Sequence, residues 1–97
     1  MAEYRLTPAA EQDLEAIWEY TSQRWGVQQA SHYLDSMTAA FGDLARAPEA
    51  APGCEQIRPG YRRRKVGKHM IYFRVTPYGI AIVRILHDRM DPARHLS

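Results

Sequence analysis

Residues 69–87, HMIYFRVTPYGIAIVRILH, decide the fold. From His69 to Thr76 apolar and polar residues alternate, with Ile71, Phe73 and Val75 on one side, which is the period-2 pattern of a half-buried strand. Pro77-Tyr78-Gly79 punctuates the run as a turn. Ile80–His87 is apolar almost throughout and rich in branched residues that pack well on a pleated surface. Two such runs joined by a short turn form an antiparallel hairpin. Pairing Thr76 with Ile80 sets Arg74 opposite Ile82 and Tyr72 opposite Arg84.

Upstream, residues 61–66 form a basic strand, and Gly67-Lys68 supplies a two-residue hairpin turn with glycine at the first central position. If Val66 pairs with His69, one face of the sheet carries Tyr61, Arg63, Lys65, Tyr72, Arg74 and Arg84. The same register puts Arg62 and Arg64 on the opposite, covered face, where an unpaired charge is costly. A bulge, or an edge strand whose long side chains reach out to water, resolves the conflict.

Further upstream the period changes to 3.6. Ala30, Tyr33, Leu34, Met37, Phe41 and Leu44 mark one face of a helix over 28–46. Ala10, Leu14, Ile17, Trp18, Thr21 and Trp25 do the same over 8–24. Thr7 is a good cap, Pro8 suits the first helical position, and Glu11, Asp13 and Glu15 favour the positive end of the helix dipole. Gly26 stops the first helix, and so short a link leaves room only for an antiparallel pair. Residues 47–60, with Pro48, Pro52, Gly53, Pro59 and Gly60, form a loop. Residues 3–6 alternate as a short strand, and the tail from Asp88 onward is polar. The order β-α-α-β-β-β predicts an α+β fold: a helical hairpin on one face of a mostly antiparallel sheet, its other face partly open. A length of 97 residues predicts a single domain over 1–97.

The net charge of +2 hides a division. Residues 1–57 hold three basic residues against nine acids, net −6, and residues 58–97 hold ten against two, net +8. A basic half facing something anionic, nucleic acid or an acidic protein segment, is the implied use. The single cysteine, Cys54, cannot form an internal disulfide and suits a reducing cytosol. No signal peptide and no apolar run long enough for a membrane span are visible, so a cytoplasmic protein without membrane contact is expected. Phosphate-binding glycine motifs, HExxH and CxxC are absent, and His32, His69, His87 and His95 are not spaced as metal ligands. No metal and no cofactor are expected.

The candidate binding residues are the cations and one aromatic of the basic half: Arg62, Arg63, Arg64, Lys65, Lys68, Tyr72, Arg74, Arg84 and Arg89. Cations interleaved with aromatics bind phosphates and stack on bases, or engage an acidic protein surface. A metal-free ribonuclease would need a base, an acid and cations on the phosphate, which His87, Arg84 and Arg89 can supply. Trp18, Tyr20, Trp25 and Tyr33 provide more large aromatic surface than two short helices need, and they are candidates for a groove that takes a partner segment.

The stretch Tyr4-Arg5-Leu6-Thr7-Pro8-Ala9-Ala10-Glu11-Gln12-Asp13-Leu14-Glu15-Ala16-Ile17 resembles the opening of ParE toxins, in the RelE/ParE superfamily. Tyr20-Thr21, Arg24-Trp25-Gly26, Met70-Ile71-Tyr72-Phe73 and Ile85-Leu86-His87-Asp88-Arg89-Met90-Asp91 extend the resemblance over nearly the whole chain. It implies the toxin half of a type II toxin–antitoxin system that inhibits DNA gyrase. It also implies a ParD-like ribbon–helix–helix antitoxin that neutralises the toxin and links it indirectly to operator DNA. RelE-type relatives instead cut messenger RNA on the ribosome. They place a Tyr or His after the arginine-bearing end of the last strand, where this chain has Met90 and Asp91 after Arg89. That departure favours a gyrase poison over an enzyme. The alternatives are the ribosome-dependent endonuclease and a non-toxic module that only binds antitoxin as a co-repressor.

Overall fold

A computed structural model describes residues 2–96. The chain runs β1 (Glu3–Leu6), α1 (Pro8–Trp25), α2 (Val27–Arg46), a short 3-10 turn (Pro48–Ala50), β2 (Tyr61–Val66), β3 (His69–Thr76), β4 (Gly79–His87) and α3 (Pro92–His95). The four strands form one sheet in the order β1-β4-β3-β2, with β1 parallel to β4 and the other pairs antiparallel. This is the α+β layout that the change of period predicts. The polar tail adds one short element that its composition did not mark: Asp91 caps α3 by accepting from the Ala93 N–H at 3.1 Å.

Thr7 ties the first helix to the sheet. Its hydroxyl accepts from the Ala10 N–H (3.1 Å) and donates to the Val83 carbonyl (2.8 Å), while its own N–H donates to the Ile82 carbonyl (3.0 Å). Gly26 alone joins the two helices, donating to Ser22 and accepting from Ala30.

The hairpin of β3 and β4 differs from the expected register in an instructive way. Thr76 pairs with Gly79, so the turn is Pro77-Tyr78, and Arg74 lies opposite Ala81 rather than Ile82. Tyr72 still faces Arg84, because β4 carries an extra residue, Val83, in a bulge between the partners of Tyr72 and Phe73. Side chains alternate along a regular strand, so Ile82 and Ile85 would otherwise face opposite sides. The bulge brings Ile80, Ile82 and Ile85 together into the core under the helices. At Gly79 the neighbouring strand passes so close that a β-carbon would meet the Glu3 carbonyl oxygen at 2.0 Å. Only glycine allows β1 to pair there.

The helix-covered face buries Ile71, Phe73, Ile80, Ile82 and Ile85 against Met37, Ala40, Phe41 and Leu44 of α2 and Ala10 and Ile17 of α1. Val75, expected among them, is half exposed because it lies beyond the core. The face expected to be partly open is roofed over part of its area. Cys54 from the long loop and Leu96 after α3 pack on Tyr72 and Leu86, with Ile57, Tyr61, Met70 and Val83 around them. Tyr72 is therefore buried, not displayed.

Candidate functional site

The β2 cations resolve the charge conflict by the second of the two routes expected. β2 is an edge strand without a bulge, and its covered-face arginines reach round the edge. Arg62 donates to the Ala51 carbonyl at 2.7 Å, and Arg64 lies 3.8 Å from the Asp43 carboxylate of α2. On the other face Arg63 stands across from Tyr72, and Lys65 pairs with Asp88 at 3.3 Å. Burial pushes the Tyr72 hydroxyl up from its ordinary pKa, with Arg63 pulling it back. Burial likewise pushes the Cys54 thiol up, against the pull of Arg63, so it stays protonated and is a poor nucleophile. Lys68, Arg74 and Arg89 are exposed.

Arg84 is held differently. Its Nε and a terminal nitrogen donate to the two Asp13 carboxylate oxygens at 2.8 and 2.9 Å, and its other terminal nitrogen donates to the His95 carbonyl at 3.2 Å. Asp13 also accepts the Ile85 N–H at 2.8 Å, at the point where β1 has ended and β4 would otherwise show a bare edge. The bond to Asp13 raises the Arg84 pKa, against the lowering effect of its burial. A two-point pair of this kind fixes the guanidinium in place. Sequence reading took Asp13 only as a helix-dipole partner. Its true partner is 71 residues away, and no local pattern marks such a pair.

A second polar cluster closes the other end of the sheet, under the β2–β3 turn. The Tyr33 hydroxyl accepts from the Lys68 N–H (3.1 Å) and lies 3.1 Å from the Val66 carbonyl and 2.7 Å from His69 Nδ1. All four groups are satisfied if Tyr33 donates to Val66 and His69 carries its proton on Nδ1. The turn needs glycine at Gly67, where a β-carbon would stand 2.6 Å from the Tyr33 ring. Burial, reinforced by His87, lowers the His69 pKa and keeps its ring neutral. The two imidazoles meet edge to face with centroids 5.5 Å apart. Desolvation opposes ionisation of Asp88, but Lys65, His87 and Arg89 together hold its carboxyl below the usual range.

The aromatic candidates separate. Tyr33 is committed to the sheet turn, and Trp18 is half buried along α1. Tyr20 and Trp25 are 62 % and 65 % exposed at the far end of the helical hairpin, with Arg24 about equally near both rings. Among the described residues none of these four rings stacks on another. No group of three or more His, Cys, Asp or Glu able to hold a metal ion occurs among the described residues, and no helix there is long and apolar enough to cross a membrane.

This arrangement of helical hairpin and four-stranded sheet is the fold of RelE/ParE-type toxins. It superposes on a chain of the chromosomal ParDE toxin–antitoxin system of P. aeruginosa with a TM-score of 0.75, at 23 % identity over 88 % of this chain and 94 % of the other. It also matches a chain of the RelBE2 toxin–antitoxin complex of Mycobacterium tuberculosis, with a TM-score of 0.60 and 21 % identity over 87 % and 94 %. Sequence narrows the class. Residues 4–92 match the family described as the ParE toxin of the parDE type II toxin–antitoxin system. Toxin ParE1 of Mycobacterium tuberculosis is 47 % identical over 94 residues, 96 % of each chain, and Toxin ParE1 of Caulobacter vibrioides is 40 % identical over the full length of both. The chain belongs to the ParE toxin family of type II toxin–antitoxin systems.

Proposed function

We propose that this toxin acts in the cytoplasm as a non-enzymatic poison of DNA gyrase. A ParD-like ribbon–helix–helix antitoxin neutralises it and carries it indirectly to operator DNA. The observation that carries the reading is the commitment of Arg84 to Asp13 and the His95 carbonyl. A ribonuclease of this fold needs a cation on the phosphate and a proton donor beside it. Arg84 is already neutralised, Met90 transfers no proton, and Asp91 repels phosphate while capping α3. The exposed cations Lys68, Arg74 and Arg89, with Arg62, Arg63, Arg64 and Lys65 along β2, remain suited to an anionic surface of a partner or target. The exposed Tyr20 and Trp25 offer anchors for the antitoxin, with Trp18 and Tyr33 contributing where they reach the surface.

A second reading, ribosome-dependent cleavage of messenger RNA, draws on the His69–His87 contact beside Lys65, Lys68 and Arg89. Expression of the toxin alone in a bacterial host separates the two. The gyrase reading expects growth arrest with double-strand DNA breaks and intact messages. Cleaved messages, lost on His87→Ala or Arg84→Ala, support the second reading instead. Undisturbed growth with an intact, folded chain points to a module that serves only as antitoxin partner and co-repressor.

A further inference from the structure

The two edges of the sheet are covered to different degrees. Along β2 the long loop supplies backbone partners: the Cys54 N–H donates to the Tyr61 carbonyl (2.9 Å) and the Arg63 N–H to the Pro52 carbonyl (3.1 Å). The other edge, β1, has no such cover. The Glu3 N–H donates to the Tyr78 carbonyl and the Thr7 N–H to that of Ile82, so Glu3, Arg5 and Thr7 turn their backbone groups toward β4 in the parallel ladder. Tyr4 and Leu6, between them, turn theirs outward. Among the described residues these two N–H groups and two carbonyls take no backbone partner.

Beside this edge runs a groove of about 750 Å³ between β1 and the first two turns of α1. Leu6 and Leu14, half buried on the core, give it apolar walls, and Glu11 and Glu15 stand exposed one helical turn apart. Neither carboxylate enters an ion pair among the described residues. The one cation of the lining, Arg5, is already engaged: its Nε donates to Glu3 at 2.8 Å, and its guanidinium lies 4.1 Å from the centre of the Tyr78 ring. Open ladder positions, apolar walls and two carboxylates without counter-ions coincide in one place.

We propose that the β1 edge is where the toxin holds its target. It receives an extended segment of that protein bearing apolar and basic side chains, paired to the backbone of Tyr4 and Leu6. Charge decides the occupant. A second copy on the same edge would set Glu11 and Glu15 against their own counterparts, and the Arg64 and Lys65 of its β2 are engaged by Asp43 and Asp88. A segment acidic enough to be drawn to Lys68, Arg74 and Arg89 would be repelled here, which separates this edge from the partner those cations suit. A protein that holds DNA carries cationic segments to do so. The proposal rests on the gyrase reading above.

Site-resolved hydrogen exchange on the toxin with purified gyrase tests it. The Tyr4 and Leu6 N–H groups should exchange at least about tenfold more slowly once gyrase is bound, as expected for newly formed ladder bonds. Glu11→Gln combined with Glu15→Gln keeps the backbone and the helix, and should weaken gyrase binding about three- to tenfold, less as salt rises. Leu6→Pro removes one outward N–H at an edge position where proline is tolerated, and should weaken binding about tenfold while the antitoxin still binds. The exchange data and the glutamine pair decide the matter whether or not the proline variant folds. Gyrase bound with exchange at Tyr4 and Leu6 unchanged, or with equal affinity for the glutamine pair, overturns the edge assignment and leaves the gyrase reading standing. A wild-type toxin that does not bind gyrase overturns both. Slowing of the same amides by antitoxin alone, or by rising toxin concentration alone, overturns the target as occupant.

Discussion

The two faces of the sheet are built by different means. Under the helices, long periodic segments close a continuous core from Ala10 to Ile85. On the other side a few apolar residues from a proline-rich loop and the tail, Cys54, Ile57 and Leu96, roof Tyr72 and Leu86. The first face has redundancy, since its buried residues come from both helices and from β3 and β4 together. The second depends on single side chains from segments with little regular structure, so it should open locally before the molecule unfolds. The charged groups follow the same division. The acids are concentrated in the helical half, and the cations ring the thinner face and its edge.

The largest effect should come from breaking the thick face. Phe73→Ala removes a fully buried ring and should cost about 3–5 kcal/mol, a large share of the stability of so small a protein. Asp13→Ala comes next. It strips Arg84 of its carboxylate and leaves the Ile85 N–H without its acceptor, at a cost of about 2–3 kcal/mol after allowance for the partial exposure of Arg84. Thermal melts should rank the two in that order; an unchanged melting temperature for Asp13→Ala would remove the clamp from the account. Leu96→Ala should cost about 1–2 kcal/mol, and hydrogen exchange should quicken at residues 54–61 while the α2 amides keep their protection. Equal loss of protection on both faces would contradict the division.

The smallest effect is a pH dependence at the hairpin end. The His69 pKa is lowered in the folded state from an ordinary value of 6.5, chiefly by burial and then by His87, with Asp88 and Asp13 opposing. The unfolded chain then takes up the proton first. The stabilisation is full above pH 6.5, declines as pH falls below it, and is lost once pH has fallen through the lowered folded value. Denaturant midpoints between pH 5 and 8 should show that decline in the wild type and a flatter profile in His69→Gln; identical slopes would place the titration elsewhere.

The contrast between faces also explains what was legible in the sequence. Both helices, the strands and the β2 turn follow from period and turn chemistry, because each element carries its own repeated signal. The Tyr72–Arg84 pairing was legible too, although Val83 and the Pro77-Tyr78 turn each shift the register by one residue and cancel. The roof was not. Cys54, Ile57 and Leu96 are isolated apolar residues among polar neighbours, and only the closed fold shows what they cover. The candidate cations were visible as a group, but not their division into those engaged by Ala51, Asp43, Asp88 and Asp13 and those left to solvent. Such partners are set by tertiary contacts that no local spacing encodes.

The most direct measurement is a supercoiling reaction with purified gyrase and relaxed plasmid. The account predicts that the toxin suppresses supercoiling and leaves protein-linked linear DNA after detergent and protease, and that prior binding of the antitoxin abolishes both. Undiminished supercoiling at micromolar toxin, from a preparation that cuts messenger RNA in a translating extract, would contradict it.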